Sequence, residues 1–309
     1  MIYSANKKEL LDYLLMLGLI GANTHTMMLH REINKDVVCK GNVELENEII
    51  NLEVRIEWED NAYKVIGFRA ELVCIPTLEH TVSQGMDTAM LEQRISEVNW
   101  KQVSKEELLE DKISAIITDV QFLQLNGSGH AQEVMEMLML KYWEAAPVSE
   151  VAVFPNRGNY ITSVVMDLNG DLNDLDILRI NNLLHGRSLV QFDFSNTDLF
   201  ARNYIIKLEN GLLTRYPDFN VSFCLQQLPF AALPPNDILK RLLCGQREAV
   251  ELIVDGTAKN AFIEMDGQHS RIAIYDTDGQ EVDLASINKP KQQSQEPLNK
   301  KDRGRKKGL

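Results

Sequence analysis

Four cysteines are all that this 309-residue chain contains, and no two of them form a CxxC pair. Cys39, Cys74, Cys224 and Cys244 are too widely spaced to read as a zinc ribbon or a redox motif. Reduced, buried thiols in a cytoplasmic protein are therefore the expectation. Long apolar runs are missing too: nothing approaches the ~20 residues that a membrane span requires. The apolar stretch from Tyr13 to Ala22 follows Lys7 and Lys8 and faintly imitates a signal peptide. Glu9 and Asp12 sit at its start, however, and no small-x-small cleavage site follows, so an amphipathic helix is expected there.

Catalytic signatures are equally scarce. The six histidines are His25, His30, His80, His130, His185 and His269, and none stands at zinc-ligand spacing from another histidine or a cysteine. There is no HExxH, no GxSxG and no GxxxxGKS/T phosphate loop. "NGSGHAQE" puts glycines ahead of a helix, but no lysine stands close by before Lys141, and loop flexibility explains those glycines. The pattern points to no enzyme, no cofactor and no metal.

One acidic loop looks more suggestive. "DLNGDLNDLD", Asp167 to Asp176, places Asp167, Asn169 and Asp171 at positions 1, 3 and 5 of a calcium loop. Such a loop needs glycine at position 6 and a carboxylate at position 12. Leu172 and Leu178 stand there instead. The bland reading is a strand, a turn at Gly170, and a helix capped by Asn173 or Asp174, with acids favoured by the helix dipole.

What the chain does hold is patterned secondary structure. The charged fraction is 25% and the hydrophobic fraction 44%, an ordinary globular balance. Ser4 or Asn6 can cap a first helix running to about Leu17, ended by Gly18 and Gly21. "NLEVRIEW" alternates Leu52, Val54, Ile56 and Trp58 on one face, and Asp60-Asn61 turns the chain into a second strand that Pro76 stops. Asp87 to Val98 reads as a short helix. Ser104 and Glu107 form a capping-box pattern ahead of a helix to about Gln124. Another helix runs to Ala145 and carries Met135, Leu138, Met139, Tyr142 and Trp143, which at this spacing read as core. "RGN" (Arg157 to Asn159) and "HGR" (His185 to Arg187) read first as turn or cap residues, with Arg187 a candidate for binding an anion.

The second half carries a suspected internal repeat. "ILRINNLLHGRSLVQFDF" and "NYIIKLENGLLTRY" are echoed by "NDILKRLLCGQREAVELIV" and "NAFIEMDGQHSRIAIYD". Leu183, Leu184 and Gly186 match Leu242, Leu243 and Gly245, each glycine closing a helix. Val190, Phe192 and Phe194 alternate in one copy, and Val250, Leu252 and Val254 in the other. Asn210-Gly211 and Asp266-Gly267 read as matching hairpin turns. The expected fold class is α+β: an N-terminal α+β domain over 1–150, helix-and-meander units over 156–222 and 230–287, and a tail over 288–309.

That tail, "KPKQQSQEPLNKKDRGRKKGL", has eight Lys or Arg against Glu296 and Asp302. Its charge is +6, which leaves −19 on the other 288 residues and a net −13 overall. It is poor in apolar residues and expected to be disordered by itself. An acidic body repels nucleic acid, so contact with it would fall to the tail: Lys300, Lys301, Arg303, Arg305, Lys306 and Lys307 are the candidate phosphate ligands. No aromatic residue stands there to stack on a base, so sequence specificity is not expected. A solubilising linker and an arm for an acidic protein partner are the competing readings.

The residues Leu183, Leu184, Gly186 and Arg187, then Asp255, Gly256, Ile263, Glu264, Ile272, Tyr275, Asp276 and Gly279, resemble a pattern in uncharacterised proteins of Bacteroidota. Those proteins are often carried on conjugative or other mobile elements. Theirs is an LLxGR helix end, a later strand pair with DG and IxxYDxxG, and a basic tail. The likeness covers roughly Leu175 to Leu309 and is weaker before it, where "YKVIGFRAEL" is the best echo. It implies a cytoplasmic bacterial setting and a mobile-element association, and carries over no catalytic residue because the family has no established activity. Together these readings favour a non-enzymatic interaction module with a protein partner, nucleic acid contacted through the tail, and no membrane. A protein-binding scaffold using exposed sheet edges is the alternative.

Overall fold

The computed structural model describes residues 4–5, 7–19, 37–45, 47–59, 62–104, 106–144, 146, 148, 156–167, 175–191, 203–254 and 256–282. Within them the protein is α+β, with helices set against antiparallel strands in four sheets.

The largest sheet is built from β1 (Ser4–Ala5), β2 (Val37–Leu45), β3 (Glu48–Glu59), β4 (Ala62–Cys74) and β7 (Ile161–Asp167). Its order is β1-β4-β3-β2, and β7 also pairs with β4, from Gly67↔Asp167 to Val73↔Ile161. The period-two pattern decides the faces. Ile50, Leu52, Val54 and Ile56 of β3 turn to one side and are buried there with Phe68, Ala70 and Leu72 of β4. Helix α1 (Lys7–Met16) covers that face with Leu10, Tyr13, Leu14 and, just past its end, Leu17.

A helical layer follows β4. A two-strand hairpin, β5 (Val82–Ser83) and β6 (Met86–Asp87), leads into α2 (Thr88–Ser96), capped by the Asp87 carboxylate. Ser104 and Glu107 form the reciprocal capping box, at 2.6 and 3.2 Å, on a 3-10 turn over Glu107–Leu109. The long helix α3 therefore starts later, at Asp111, and runs to Asn126. Ser128 caps α4 (Gly129–Trp143). Val134, Met135, Leu138, Met139 and Trp143 are buried together with Trp100, Ile116, Val120 and Leu123. Leu140 instead meets Ile49 and Val73 on the opposite face of the large sheet, which joins the helical layer to it.

Two helix-and-sheet units come next. In the first, α5 (Ile177–Leu184) precedes β8 (Leu189–Gln191), β9 (Tyr204–Glu209) and β10 (Leu212–Pro217), ordered β10-β9-β8. In the second, α6 (Val221–Gln226) and α7 (Ile238–Leu243) precede β11 (Glu248–Val254), β12 (Thr257–Asp266) and β13 (Arg271–Tyr275), ordered β11-β12-β13. After α5, Gly186 N donates to Leu183 O and Arg187 N to Asn182 O; after α7, Gly245 N donates to Leu242 O and Gln246 N to Arg241 O. Both helices thus end in the same turn. Phe192 and Phe194 lie outside the described residues.

Three details depart from the sequence expectations. Asp176, and neither Asn173 nor Asp174, caps α5, its Oδ1 accepting from Arg179 N at 2.8 Å. In an Asx-rich run several residues have the right chemistry, and only the position of the first helical turn selects one. Asp266-Gly267 is not a two-residue hairpin: β12 and β13 are joined across residues 267–270, and Ser270 carries the positive φ of 52°. The tight turn of that sheet falls instead between Val254 and Thr257, where Gly256 has φ +75°. The third departure concerns layering. β7 belongs to the large sheet, and a single core runs from α1 and β3 through β7 to α5, β8 and β9, across the expected division at 150–156.

The small sheet β8-β9-β10 sits between two cores. Leu189, Ile206 and Leu208 point into the core shared with the large sheet. Val190 and Ile205, on the alternate face, are buried among Leu225, Ile238, Leu242, Leu252, Ile263 and Ile274 of the second unit. No helix of the described residues is long and apolar enough to cross a membrane.

Candidate functional site

The tail residues Lys300, Lys301, Arg303, Arg305, Lys306 and Lys307 lie outside the described residues, as does the acidic loop over 168–174. Among the described residues no three His, Cys, Asp or Glu side chains gather as a metal site, and all four cysteines are free. Burial pushes the Cys39 thiol up, so it is no ready nucleophile.

A cleft of about 570 Å³ opens between β8, α6 and α7, lined by Val190, Asn203, Asp218, Phe219, Leu239 and Leu243 among others. Asp218 is the one titratable group among its described lining residues.

Titratable side chains gather elsewhere, and three of their clusters tie elements together. In the helical layer Glu92 is the hub. His80 Nε2 stands 2.8 Å from Glu92 Oε2, and Lys141 Nζ and Tyr142 OH donate to Oε1 at 2.9 and 3.0 Å. Burial by itself would raise the Glu92 carboxyl, but the Lys141 and Tyr142 hydrogen bonds and the neighbouring positive charges outweigh it and hold the group below its ordinary value. A carboxylate kept ionised by three donors is a weak proton acceptor, so this network clamps α2 to α4.

The second cluster joins α4 to the large sheet. Arg157 Nε donates to both oxygens of the half-buried Glu144 at 3.1 Å, and its Nη2 reaches Glu71 Oε2 at 3.1 Å. Asn51 Nδ2 adds a bond to Glu144 Oε1 at 3.1 Å. The fork of hydrogen bonds to Glu144 holds the guanidinium charged more firmly than usual. Arg157 is thus a clamp as well as a turn residue. Nothing near it in sequence signals this, because its acceptors come from positions 71 and 144.

The third cluster stands where the two C-terminal units meet. Asn182 of α5 binds both turns: its Nδ2 donates to Cys244 O at 3.0 Å, and its Oδ1 accepts from Arg187 Nη1 at 2.8 Å. Gly267 N donates to Ser188 Oγ at 3.1 Å. A Cβ at Gly267 would lie 2.5 Å from Ile205 Cγ2, so glycine is required there by close approach and not by a turn. His185 Nε2 is 2.9 Å from Glu48 Oε1 on the large sheet. Arg247 Nε donates to Glu264 Oε2 at 2.8 Å, its guanidinium lies over the Tyr275 ring at 4.3 Å, and Tyr275 OH donates to Glu264 Oε1 at 2.9 Å. Arg187 was the member of this group read from sequence as a candidate anion ligand. Arg247 was missed: the residue directly after the second helix-closing glycine, where Arg187 stands in the first, is Gln246, and Arg247 comes one position later.

Charge is unevenly satisfied in this cluster. Burial lowers the Arg187 pKa, and the Arg247 charge adds to that against the pull of Glu264 and Glu48. Among the described residues no carboxylate forms an ion pair with Arg187. Tyr275 is pushed up to about 12, by burial first and then by its bond to the Glu264 carboxylate. The folded protein thus favours the neutral phenol. That contribution to stability is complete below pH 10, the ordinary tyrosine value, and is lost as pH rises toward about 12. Urea unfolding at stepped alkaline pH should show the decline, and Tyr275→Phe should make it shallower, with Tyr216, also pushed up to about 12, supplying part of what remains. An identical decline in the variant would remove Tyr275 as its source.

No protein-family model, no curated protein and no solved structure matches this chain.

Proposed function

We propose that the chain is a non-enzymatic interaction module, a cytoplasmic accessory of a mobile element whose acidic body presents a basic arm to nucleic acid. Charge separation carries this reading: −19 on the first 288 residues against +6 on the last 21. Two carboxylates of the body, Glu92 and Glu144, are engaged in clamps between elements, which supports an architectural over a catalytic use. The arm would act through Lys300, Lys301, Arg303, Arg305, Lys306 and Lys307, each neutralising a backbone phosphate and releasing counterions.

Retention of the full chain on duplex DNA across a salt gradient tests it. Six phosphate contacts predict a log–log slope of about −5, or roughly a thousandfold loss of affinity between 50 and 200 mM salt. Ending the chain after Ala285 should abolish retention. Retention that survives the truncation would overturn the arm assignment.

A second reading, a protein-binding scaffold that offers a sheet edge, draws on β10. It is the outer strand of its sheet, and Leu212 on it is 72% exposed. The sheet of the second unit lends less support: Phe230 bridges to Leu252 on its β11 edge, and Glu281 to Tyr275 on its β13 edge.

A further inference from the structure

The turns that close α5 and α7 press against each other. A Cβ on Gly245 would stand 3.1 Å from Ser188 O, and Asn182 ties Cys244 O to the Arg187 side chain. Arg187 directly precedes Ser188 and Arg247 follows Gly245 by two residues, so this contact brings both arginines to the same junction, where the Arg247 charge acts on Arg187. We propose that Arg187 and Arg247 form a binding site for a small oxyanion, a phosphate or carboxylate group, at the junction of the two C-terminal units.

Hydrogen-bond supply and demand at the junction support the assignment. A guanidinium is a planar fork of N–H donors that matches a carboxylate or phosphate edge. Arg187 is half-buried, and among the described residues its side-chain acceptor is Asn182 Oδ1. The carboxylates around it are already engaged. Glu48 faces His185, and both oxygens of Glu264 are taken, by Arg247 Nε and Tyr275 OH. These acids offset the positive charge without filling the Arg187 donors. Arg247 is held by Glu264 and by the Tyr275 ring, which sets its direction before any ligand arrives. Two neighbouring cations, Arg247 already oriented by Glu264 and Tyr275 and Arg187 with Asn182 Oδ1 as its acceptor among the described residues, would make a site that an oxyanion completes.

The site goes beyond the nucleic-acid reading and does not depend on the tail. Calorimetric titration of the full chain with inorganic phosphate, and separately with acetate, tests it at ionic strength held constant with sodium chloride. Saturable binding is expected in at least one arm, and which arm saturates separates a phosphate from a carboxylate ligand. Arg187→Gln should weaken it by about tenfold or more, the scale of one charge-assisted bidentate contact. Arg187→Lys, which keeps the charge and loses the fork, should fall between, and Arg247→Gln should also weaken binding. Circular dichroism confirms that each variant is folded. Saturation in neither arm, or equal affinity in wild type and both Arg187 variants, would overturn the site. Arg187→Gln should leave salt-dependent retention on DNA unchanged, so the failure of one proposal is distinguishable from the failure of the other.

Discussion

Replacing Trp143 with alanine is expected to remove about 3–5 kcal/mol of stability, the usual cost of emptying a large aromatic site in a packed core. Trp143 ends α4, is 1% exposed, and meets Trp100 edge-to-face with ring centroids 5.3 Å apart. The core cluster it belongs to draws Leu91 from α2, Leu123 from α3 and Met139 from α4, so collapse into the void would have to move whole helices. The indole Nε1 has no hydrogen-bond partner among the described residues. Trp143→Phe should therefore cost far less, under about 1.5 kcal/mol, because the lost volume is partly offset by removing an unsatisfied buried donor. Urea unfolding followed by circular dichroism measures both. Equal losses would mean that the ring edge, and not its bulk, carries the contribution.

Gly186 and Gly245 occupy the same place in two similar turns, yet alanine should affect them unequally. Both have positive φ, +71° and +80°, so each alanine carries the left-handed penalty of roughly 1 kcal/mol. At Gly186 the nearest atom to a new Cβ is Leu208 O at 3.7 Å, an ordinary contact. At Gly245 it would meet Ser188 O at 3.1 Å, Asn182 Cβ at 3.2 Å and Leu189 Cβ at 3.3 Å. One of those atoms is backbone and the others belong to buried residues, so the neighbours have little room to yield. Gly245→Ala should cost about 2–4 kcal/mol in total, and Gly186→Ala about 1 kcal/mol. The same urea experiment decides it; a larger loss at Gly186 would contradict the described contact between the turns.

What could be read from the chain without coordinates was local. Alternation at Leu52, Val54 and Ile56 identifies β3 and its buried face. Helical spacing places Met135, Leu138 and Met139 inside. Glycine after a leucine pair marks the ends of α5 and α7. Each of these signals is complete within a few residues. β2 was missed although Lys40, Asn42 and Glu44 take alternate, exposed positions; between its ends the inward face offers only Cys39, Gly41 and Val43, too little apolar bulk to stand out as a strand. The clamps were hidden for another reason. Glu92 is bound from positions 80, 141 and 142, and Arg157 from 71 and 144, separations that no spacing rule spans. Gly267 shows a third limit. "DG" carries the chemistry of a two-residue hairpin turn, but here the glycine answers to Ile205, sixty-two positions earlier, and opens a four-residue connection over 267–270. Of the candidate site, Arg187 stood out for its place beside a helix end. Its partner Arg247 becomes visible only when the two turns are seen to touch.

The sheet of β8, β9 and β10 is wetted on neither side of its central strand: Ile206 faces one core and Ile205 the other. It works as a party wall, and neither room closes without it. A fragment excised at the start of α7 would carry its own roof but a missing partition, with Ile263 and Leu252 laid open to solvent. Scanning calorimetry of the intact chain should accordingly show the two C-terminal units melting together, and dissection of this protein into autonomous pieces has no natural cut between them.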